Sequence, residues 1–386
     1  IITHHHHLFV SFRSVLALAG RNGDKLASLR AKLVEIEPRA QSFPILTADA
    51  GDPESVASIV KESKVVLTFV GPYTKHGMPL ARACVAHGTD YCDITGESGY
   101  QKRMVDELHE EAKSKGVTLV TGVGYDSIPT DVGTWLLVKH LRSLSSTGPI
   151  SVQAIMGKSK GSVSGGTIAS SAFFTPLPSH VLDPAYDKSK MTEGSKHFST
   201  RQFHEPSKTW LAPSIMETIN KKVVYRSRGL LEDLYGSISF QEFQGVQSRF
   251  SSYARSSFMG IIGAAIGIAA VRNTLVKFGV LPKPGEGPTQ DILDNGFFNI
   301  FVFGKVQPDN SQEAKEAAVH VKGIKGDPGY RLTSAMALES ALCLASKDTL
   351  PMNMLGGVLT PAACMGDVLV QRLPNANVTF DLIEDP

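Results

Sequence analysis

Two short loops of the sequence hold side chains that can donate a proton to a reacting substrate. Tyr73 and His76 follow one glycine-bearing turn, and Tyr125 and Asp126 follow another. Phenol, imidazole and carboxyl groups are common general acids in enzymes. We predict that Tyr73, Tyr125 or Asp126 supplies a catalytic proton. No signature in the sequence distinguishes that role from the role of a hydrogen-bonding residue that only lines a crevice.

Each of these loops ends a short apolar run, and residues 1–141 alternate such runs with helical patterns. The predicted strands are residues 15–19, 43–48, 65–70, 90–94 and 117–121. Strand alternating with helix predicts an α/β fold with a Rossmann-like, doubly wound parallel sheet. Loops at the carboxyl edge of such a sheet meet in a crevice that binds ligands. We therefore expect the candidate proton donors to lie together at that edge.

A second domain is predicted from residue 142, where the sequence changes to turns rich in serine and glycine and to longer alternating runs. Alternation of apolar and polar residues is typical of antiparallel sheets with one solvated face. We expect residues 142–330 to form an α+β domain, built on an antiparallel sheet, for substrate binding or dimerisation. Residues 331–386 begin with a helical pattern and are predicted to pack back on the first domain.

The composition excludes several classes of protein. The 386 residues include 39 Lys and Arg against 37 Asp and Glu, and a net charge of +2 gives no basis for a nucleic-acid partner. The four cysteines form no CxxC pair and no dense disulfide framework, which favours a reducing, intracellular compartment. The adjacent histidines 4–7 cannot surround one metal ion with defined geometry, so no metal site is predicted.

Several motifs of the sequence occur together in one known family. They are Val70-Gly71-Pro72-Tyr73, Asp90-Tyr91-Cys92-Asp93-Ile94-Thr95-Gly96-Glu97, Gly122-Val123-Gly124-Tyr125-Asp126-Ser127-Ile128-Pro129, Gly165-Gly166-Thr167, Pro284-Gly285-Glu286-Gly287-Pro288, Gly326-Asp327-Pro328-Gly329-Tyr330 and Gly356-Gly357-Val358-Leu359-Thr360-Pro361-Ala362-Ala363. Their order resembles the saccharopine-dehydrogenase-like oxidoreductases, which include trans-acting enoyl reductases and lipid-droplet-associated members. The resemblance covers about residues 15–382 and implies a nicotinamide-dependent enzyme. Asp93 and Glu97 are expected to shape their loop, with an acid/base couple as the alternative. Residues 165–167 are expected either to face the substrate or to cap a helix without a ligand.

The predicted cofactor-binding residues are Gly20, Arg21, Asn22, Asp49, Val70, Gly71 and Pro72. In this fold an arginine placed like Arg21 accommodates the 2′-phosphate of NADP, so NADP is the expected cofactor and NAD the alternative. Asp49 resembles the family residue near the adenine, and Gly71 permits close approach of the nicotinamide ribose. Each position also has a structural interpretation: an exposed arginine, a helix cap at Asn22, or a turn.

A dinucleotide-binding fold should open with a strand, a glycine-rich turn and a helix that receives the pyrophosphate. Residues 1–14 contain no GxGxxG motif ahead of the first predicted strand. Two interpretations stand: the chain is truncated or wrongly spliced, or the protein has given up this phosphate site. We favour the first, because the loss of a central strand would leave its two neighbours unpaired. Residues 8–12 could fill part of that gap.

Residues 256–271 carry no charge and lie between Arg255 and Arg272. These sixteen residues are fewer than the ~20 needed to span a bilayer. One prediction is that the segment lies in a membrane or lipid-droplet surface, with the arginines at the headgroups. The other is a buried helix.

Together these features predict an NAD(P)H-dependent oxidoreductase that reduces a hydrophobic, lipid-related substrate of the enoyl type. The substrate class rests on the resemblance alone. The expected location is intracellular, with membrane or lipid-droplet association, and the expected assembly includes a homodimer. A rival prediction is a catalytically silent scaffold on a membrane or lipid droplet, and a third is a soluble NADP-sensing regulator.

Overall fold

The computed structural model describes residues 16–161, 177–186, 201–255, 288–309, 313–351, 355–384 and 386. Its strands are β1 (Leu18–Gly20), β2 (Ile45–Thr47), β3 (Val65–Thr68), β4 (Asp90–Asp93), β5 (Thr118–Val120), β6 (Ile150–Lys160), β7 (Phe203–His204), β8 (Thr209–Pro213), β9 (Ile238–Val246), β10 (Phe297–Val306), β11 (Lys315–Gly323), β12 (Gly357–Leu359) and β13 (Val378–Ile383). Its α-helices are α1 (Gly23–Val34), α2 (Pro53–Lys61), α3 (Tyr73–His87), α4 (Ser98–Ser114), α5 (Ile128–Leu144), α6 (Glu217–Leu230), α7 (Glu232–Tyr235), α8 (Gln290–Asn295), α9 (Thr333–Ala345) and α10 (Pro361–Arg372). A π-helical turn spans Pro328–Leu332.

A parallel sheet with the strand order β12-β5-β4-β3 forms the centre of the first domain. β4 and β5 are completely buried. The helices α3 and α4 pack on this sheet through a core that includes Met78, Tyr91 and Met104. Helices that cover a buried parallel sheet are the arrangement of doubly wound folds. The prediction of a Rossmann-like α/β domain is confirmed.

The strands β1 and β2 form a separate two-stranded parallel sheet, with Leu18 opposite Ile45. A dinucleotide-binding sheet has the strand order 3-2-1-4-5-6, in which each digit is the number of a strand along the chain. In that order β1 and β2 take the places of the second and third strands, and β3 takes the place of the fourth. Among the described strands, none pairs with both β1 and β3. Residues 1–15, including 8–12, lie outside the described part of the chain. We call the interval between β1 and β3, where no described strand pairs with both, the break. Beside it, Phe69 and Val70 are 50% and 51% exposed.

The second sheet has the order β13-β11-β10-β6-β9-β8-β7. Its neighbouring strands run antiparallel except for β6 and β9, which run parallel with Ile150 opposite Ile238. Along residues 297–302 of β10, buried residues alternate with half-buried ones, as the alternation in the sequence predicts. The predicted α+β domain on an antiparallel sheet is therefore confirmed, and the parallel pair makes the sheet mixed.

The helix α5 joins the two sheets, and its residues from Ile128 to Val138 are buried except for the half-buried Leu136. It begins directly after the loop that follows β5, and it packs on β10 and β11. Gly304 of β10 makes this close packing feasible, because a Cβ atom there would lie 2.6 Å from Leu137 and 2.8 Å from Leu141. One hydrophobic core therefore runs through both sheets.

The C-terminal segment contributes to both sheets. The helix α9 packs on β3 and β4, β12 pairs with β5, and β13 pairs with β11. Asp131, buried in α5, accepts a hydrogen bond from the Ala362 amide at the start of α10 (2.9 Å). The predicted domain boundaries at residues 141 and 330 stay predictions.

Some predicted features lie outside the described residues: histidines 4–7, residues 165–167, residues 284–287 and the segment 256–271. Of the helices that are described, none combines the length and apolar character needed to cross a bilayer. Within the same part of the chain, no group of three His, Cys, Asp or Glu residues is placed to hold a metal ion.

Candidate active site

The loops that follow β3, β4 and β5 meet at the carboxyl edge of the first sheet. Glu97, after β4, accepts hydrogen bonds from the amides of Tyr73 (2.9 Å) and Thr74 (2.8 Å) at the start of α3. Asp93, at the end of β4, accepts one from the Gly122 amide after β5 (3.3 Å). The two carboxylates therefore connect all three loops, and the expectation that they shape this region is confirmed.

Glu97 caps α3 from another part of the chain. The first amides of a helix have no partner inside it and carry the positive end of its dipole. Both carboxylate oxygens of the fully buried Glu97 bind these amides, and the Thr74 hydroxyl donates a further bond (2.6 Å). Asp93 is likewise engaged by the Thr95 amide (3.0 Å). The geometry gives both acids structural roles.

Tyr73 is buried at the base of the same loop. Its hydroxyl donates to the Thr68 carbonyl oxygen (3.0 Å), and its ring lies 5.8 Å from that of Tyr100. Burial, assisted by the charge of Asp93, raises the pKa of the Tyr73 phenol well above its usual value. The hydroxyl therefore fastens the end of β3 to α3, while His76 lies on the exposed surface.

Tyr125 and Asp126 lie between β5 and α5 and are half-buried. The Tyr125 amide donates to the Thr333 hydroxyl (3.1 Å), and the Tyr125 ring packs on Phe298 with 4.8 Å between ring centroids. Within the described residues, neither the Tyr125 hydroxyl nor the Asp126 carboxyl has a hydrogen-bond partner. The loop is thus held by its backbone and by one ring face, and the part of the chain that is described offers its two proton-bearing groups no partner.

Burial controls the protonation of this pair. Removal from water disfavours the charged form of an acid. It raises the pKa of Asp126 to about 6. Burial also raises the pKa of Tyr125, and the charge of Asp126 raises it further. At neutral pH the phenol therefore keeps its proton, and Asp126 titrates close to that range.

The Gly-Asp-Pro-Gly-Tyr motif at residues 326–330 positions Thr333, whose hydroxyl binds the Tyr125 amide of this loop. Its buried Asp327 caps the π-helical turn Pro328–Leu332 by accepting a hydrogen bond from the amide of the motif's tyrosine (2.6 Å). Thr333, which follows the turn, donates to the first carbonyl oxygen of the turn (2.8 Å) and accepts the Tyr125 amide. Single π-turns are frequent at functional sites.

The predicted cofactor residues near β1 and β2 lie at the ends of those strands. The Asn22 side chain caps α1 by accepting from the Lys25 amide (2.9 Å), and Asp49 closes a turn by accepting from the Gly51 amide (2.9 Å). Arg21 is exposed and forms no ion pair with any described residue. A guanidinium without a carboxylate partner fits an anionic phosphate at this position.

Gly20 and the turn at residues 70–72 border the break between β1 and β3. Gly20 ends β1, and its carbonyl oxygen accepts from the Ala48 amide (3.0 Å). Gly71 and Pro72 are joined by a cis peptide bond directly before α3. This exposed, glycine-bearing rim allows a flat ring to approach the backbone. The described residues fit the adenosine phosphate and nicotinamide ends of a dinucleotide, and none of them forms a glycine-rich cradle for its pyrophosphate.

Comparison with known proteins agrees with this arrangement. Residues 2–120 match the family model described as the saccharopine dehydrogenase NADP binding domain. A Mycobacterium tuberculosis protein, whose name ascribes trans-acting enoyl reductase activity to it, is 34% identical over 388 residues, covering 95% of this chain and 90% of that protein. The chain belongs to the saccharopine-dehydrogenase-like family of oxidoreductases. A trans-acting enoyl reductase of Mycobacterium ulcerans is 30% identical over 389 residues, covering 94% of this chain and 90% of that protein.

A solved structure supports the fold of this saccharopine-dehydrogenase-like chain. Saccharopine dehydrogenase (L-Glu forming) from Saccharomyces cerevisiae aligns over 95% of this chain and 93% of its own, with a TM-score of 0.50 and 11% identity. At that identity the likeness concerns the fold alone. The NADP-binding match ends at residue 120, so it includes β1, β2 and β3 and the residues Arg21, Asp49 and Gly71 that follow them.

The sequence did not predict a polar cluster that the second domain of this family member places beside the first turn of α5. Glu242 of β9 is fully buried and accepts hydrogen bonds from the Ser214 hydroxyl (2.5 Å) and the Asn220 amide (2.6 Å). The same Asn220 nitrogen lies 3.5 Å from the Thr130 hydroxyl of α5. The available signal was a single acidic residue inside the otherwise strand-like run 237–243.

Proposed function

We propose that this protein is an NADPH-dependent reductase of a polarised carbon–carbon double bond in a hydrophobic, lipid-related substrate. The observation that carries the proposal is the pair Tyr125 and Asp126, whose proton-bearing groups bond to no described residue and lie at the edge where the cofactor loops end. The enoyl reductase names of relatives that align along nearly the whole chain support the reaction class.

The residues have distinct tasks in this reaction. Arg21 binds the 2′-phosphate, and the turn at residues 70–72 borders the nicotinamide ribose. The bound cofactor supplies a hydride to the β-carbon of the double bond. Asp126 or Tyr125 then gives a proton to the α-carbon, where negative charge develops. The raised pKa of Tyr125 keeps its proton in place at neutral pH, whereas Asp126, with a pKa of about 6, holds its proton mainly on the acid side of neutrality.

The test is NADPH consumption by the full chain in the presence of an α,β-unsaturated acyl thioester, followed by absorbance. The wild-type protein should turn over, and Tyr125→Phe and Asp126→Asn should lower kcat by ~10²-fold at unchanged NADPH affinity. Tyr73→Phe is the matched control, since its hydroxyl is bound to Thr68. NADPH binding with no turnover of enoyl substrates would instead favour the regulator or the scaffold.

We also propose that the protein associates with a lipid surface. An aromatic patch at the edge formed by β7 and β8 supports this, and it consists of Phe203, Trp210, Phe250 and Tyr253 together with Arg201 and Arg249. Phe250 is 81% exposed. Arg201 lies 4.5 Å from the centre of the Tyr253 ring, and Arg249 lies 5.9 Å from that of Trp210. Neither arginine pairs with a described carboxylate.

Aromatic rings beside unpaired arginines are suited to the interface of a membrane with anionic headgroups. Sedimentation with phosphatidylglycerol vesicles should therefore capture the wild-type protein, and phosphatidylcholine vesicles should capture less. Phe250→Ser should reduce capture several-fold. Ile324→Ser is the control, because Ile324 is 52% exposed but follows β11, near the opposite edge of the sheet. Equal capture of the two variants would exclude this surface.

A further inference from the structure

Lys222 of α6 is a buried cation without an anionic partner. The residue is 5% exposed. Its ammonium donates to the Thr218 carbonyl oxygen, and in the described part of the chain it forms no further hydrogen bond and no ion pair. An ammonium has three donors, so two of them find no acceptor among these residues. The neighbouring Lys221, by contrast, pairs with Glu217 (3.6 Å).

This unpaired cation is costly to the fold. Proteins keep a buried charge without a partner chiefly where it has a function. Burial lowers the pKa of the Lys222 ammonium below the usual value for lysine. A negatively charged oxygen beside the ammonium would favour its charged form again. The ammonium therefore has the properties of a binding group for a ligand oxygen.

The helix α6 directs Lys222 towards the first domain. Residues three and four positions apart lie on one face of a helix, so Lys222 shares its face with Ile219 and Arg226. Ile219 packs so closely on the loop after β4 that a Cβ atom at Gly96 would lie 3.3 Å from it. The Arg226 guanidinium donates to the Val358 carbonyl oxygen of β12 (3.2 Å). Lys222 therefore lies between two contacts of α6 with the first domain.

The ammonium also lies near the loop that holds the candidate proton donors. Its bond to Thr218 places it beside the first turn of α6. In the same turn, the Asn220 side-chain nitrogen lies 3.5 Å from the Thr130 hydroxyl. Thr130 belongs to the first turn of α5, which begins where the loop with Tyr125 and Asp126 ends. The second domain thus presents its buried cation at this end of α5.

The position of Lys222 favours the substrate over the cofactor as its ligand. The residues expected to bind the dinucleotide follow β1, β2 and β3. The contacts of α6 are with the loop after β4 and with β12, and both strands lie on the side of β3 away from the break. In a reduced enoyl thioester, negative charge develops on the carbonyl oxygen. A preorganised donor in a buried site stabilises such an oxygen.

We propose that Lys222 binds the carbonyl oxygen of the acyl thioester substrate and stabilises the enolate that forms during hydride transfer. This inference rests on the proposed function. The hydride forms a C–H bond at the β-carbon, the π pair of the C=C bond moves between the α-carbon and the carbonyl carbon, and the carbonyl π pair moves to oxygen. Lys222 keeps its proton and donates a hydrogen bond to this oxygen. The carbonyl group is restored when the α-carbon takes a proton from Asp126 or Tyr125.

The experiment compares two neighbouring lysines of α6. Lys222→Met keeps an unbranched side chain but removes the charge and the donors. Lys221→Met is the matched control, because Lys221 already has Glu217 as its partner. The readouts are kcat and KM for an α,β-unsaturated octenoyl pantetheine thioester, together with NADPH affinity from titration calorimetry.

We expect Lys222→Met to lower kcat by ~10²-fold at unchanged NADPH affinity, because the lost hydrogen bond is strongest in the transition state. Lys222→Arg should restore part of kcat, and Lys221→Met should keep the wild-type value. A Lys222→Met variant with wild-type kcat overturns the proposal. Loss of NADPH affinity in this variant also overturns it, because the cation would then bind the cofactor.

Urea denaturation distinguishes this role from a structural one. Lys222→Met should be at least as stable as the wild type, because the substitution removes an unpaired buried charge. A variant that is clearly less stable, or that does not fold, marks Lys222 as a residue that supports the fold and overturns the proposal.

Infrared spectroscopy tests the contact without turnover. The probe is the same octenoyl thioester with an isotope label in its C=O group, bound together with NADP⁺, which cannot reduce it. A hydrogen bond from an ammonium lowers the C=O stretching frequency. We expect a lower frequency in the wild type and in Lys221→Met than in Lys222→Met, and equal frequencies in all three overturn the proposal. A lowered frequency in a wild-type protein that reduces no enoyl thioester overturns the proposed function and leaves the contact of Lys222 in place.

Discussion

The candidate site residues fall into two groups, those whose polar side-chain atoms are hydrogen-bonded within the protein and those whose polar atoms have no partner among the described residues. The hydroxyl of Tyr73 and both oxygens of Glu97 are bound to backbone groups at the end of β3 and the start of α3. The guanidinium of Arg21 and the carboxyl of Asp126 have no such partner among the described residues. An engaged group stabilises the fold, and an unengaged group at a loop edge is available to a ligand. This distinction separates candidates that the sequence treats alike.

Arg21 provides a prediction at this scale. Arg21→Ala should weaken NADPH binding by ~10-fold or more and leave NADH binding nearly unchanged, because it removes a charge-assisted contact with the 2′-phosphate. Titration calorimetry with both cofactors measures the difference. Lys25→Ala is the control, since Lys25 is an exposed cation on the adjoining helix α1. Equal losses for the two cofactors would refute the assignment of Arg21.

At the scale of elements, α3 shows what a sequence can and cannot predict. The sequence predicts a helical pattern between the predicted strands at residues 65–70 and 90–94, and the helix begins at Tyr73. The first turn is stabilised by Glu97, whose distance of 24 positions from Tyr73 no local pattern reveals. Periodic elements were easier to predict, since one of the longer alternating runs predicted after residue 142 forms the strand β10 at residues 297–306.

The candidate site likewise contains residues that the sequence could predict and one that it could not. Tyr125 and Asp126 could be selected from the sequence, because a parallel sheet brings its loop ends together. Glu242 could not be assigned, since its partners Ser214 and Asn220 belong to a strand end and a helix elsewhere in the chain. A contact between elements depends on packing, and a linear pattern carries little information about it.

The cap of α3 provides the prediction at this scale. Glu97→Gln should reduce the free energy of unfolding by ~1–3 kcal/mol, because the helix start loses a buried anion that binds two of its amides. Urea denaturation measures this loss. Glu110→Gln, at an exposed position of α4, should change stability by less than ~0.5 kcal/mol. A similar effect of both substitutions would contradict the role of Glu97 as a cap.

At the scale of the whole molecule, the break between β1 and β3 divides regions of different packing. The described core runs from the first sheet through α5 into the second sheet. The β1-α1-β2 unit has its own small cluster, in which Leu33, Ala40 and Phe43 are the buried members. Regions with few buried contacts open at lower free energy than the rest of a protein.

Hydrogen exchange should report this difference. Amides of residues 18–47 should exchange at least ~10-fold faster than those of β4 and β5 when NADPH is absent. Addition of NADPH should slow exchange near residues 20–22 and 69–72 and leave β10 unchanged. Mass spectrometry of peptides from the intact protein provides the measurement. Uniform protection across both regions would mean that the two parallel sheets open as one unit.

The placement of β12 and β13 affects how this chain is made in the cell. Residues 357–359 complete one sheet and residues 378–383 complete the other. A ribosome releases β12 long after β5, and it releases β13 after β11, so the edge of β5 stays uncovered until residues 357–359 emerge and the edge of β11 until residues 378–383 emerge. Uncovered strand edges pair readily with other chains. Nascent copies of this protein should therefore depend on chaperones until residues 357–383 have emerged.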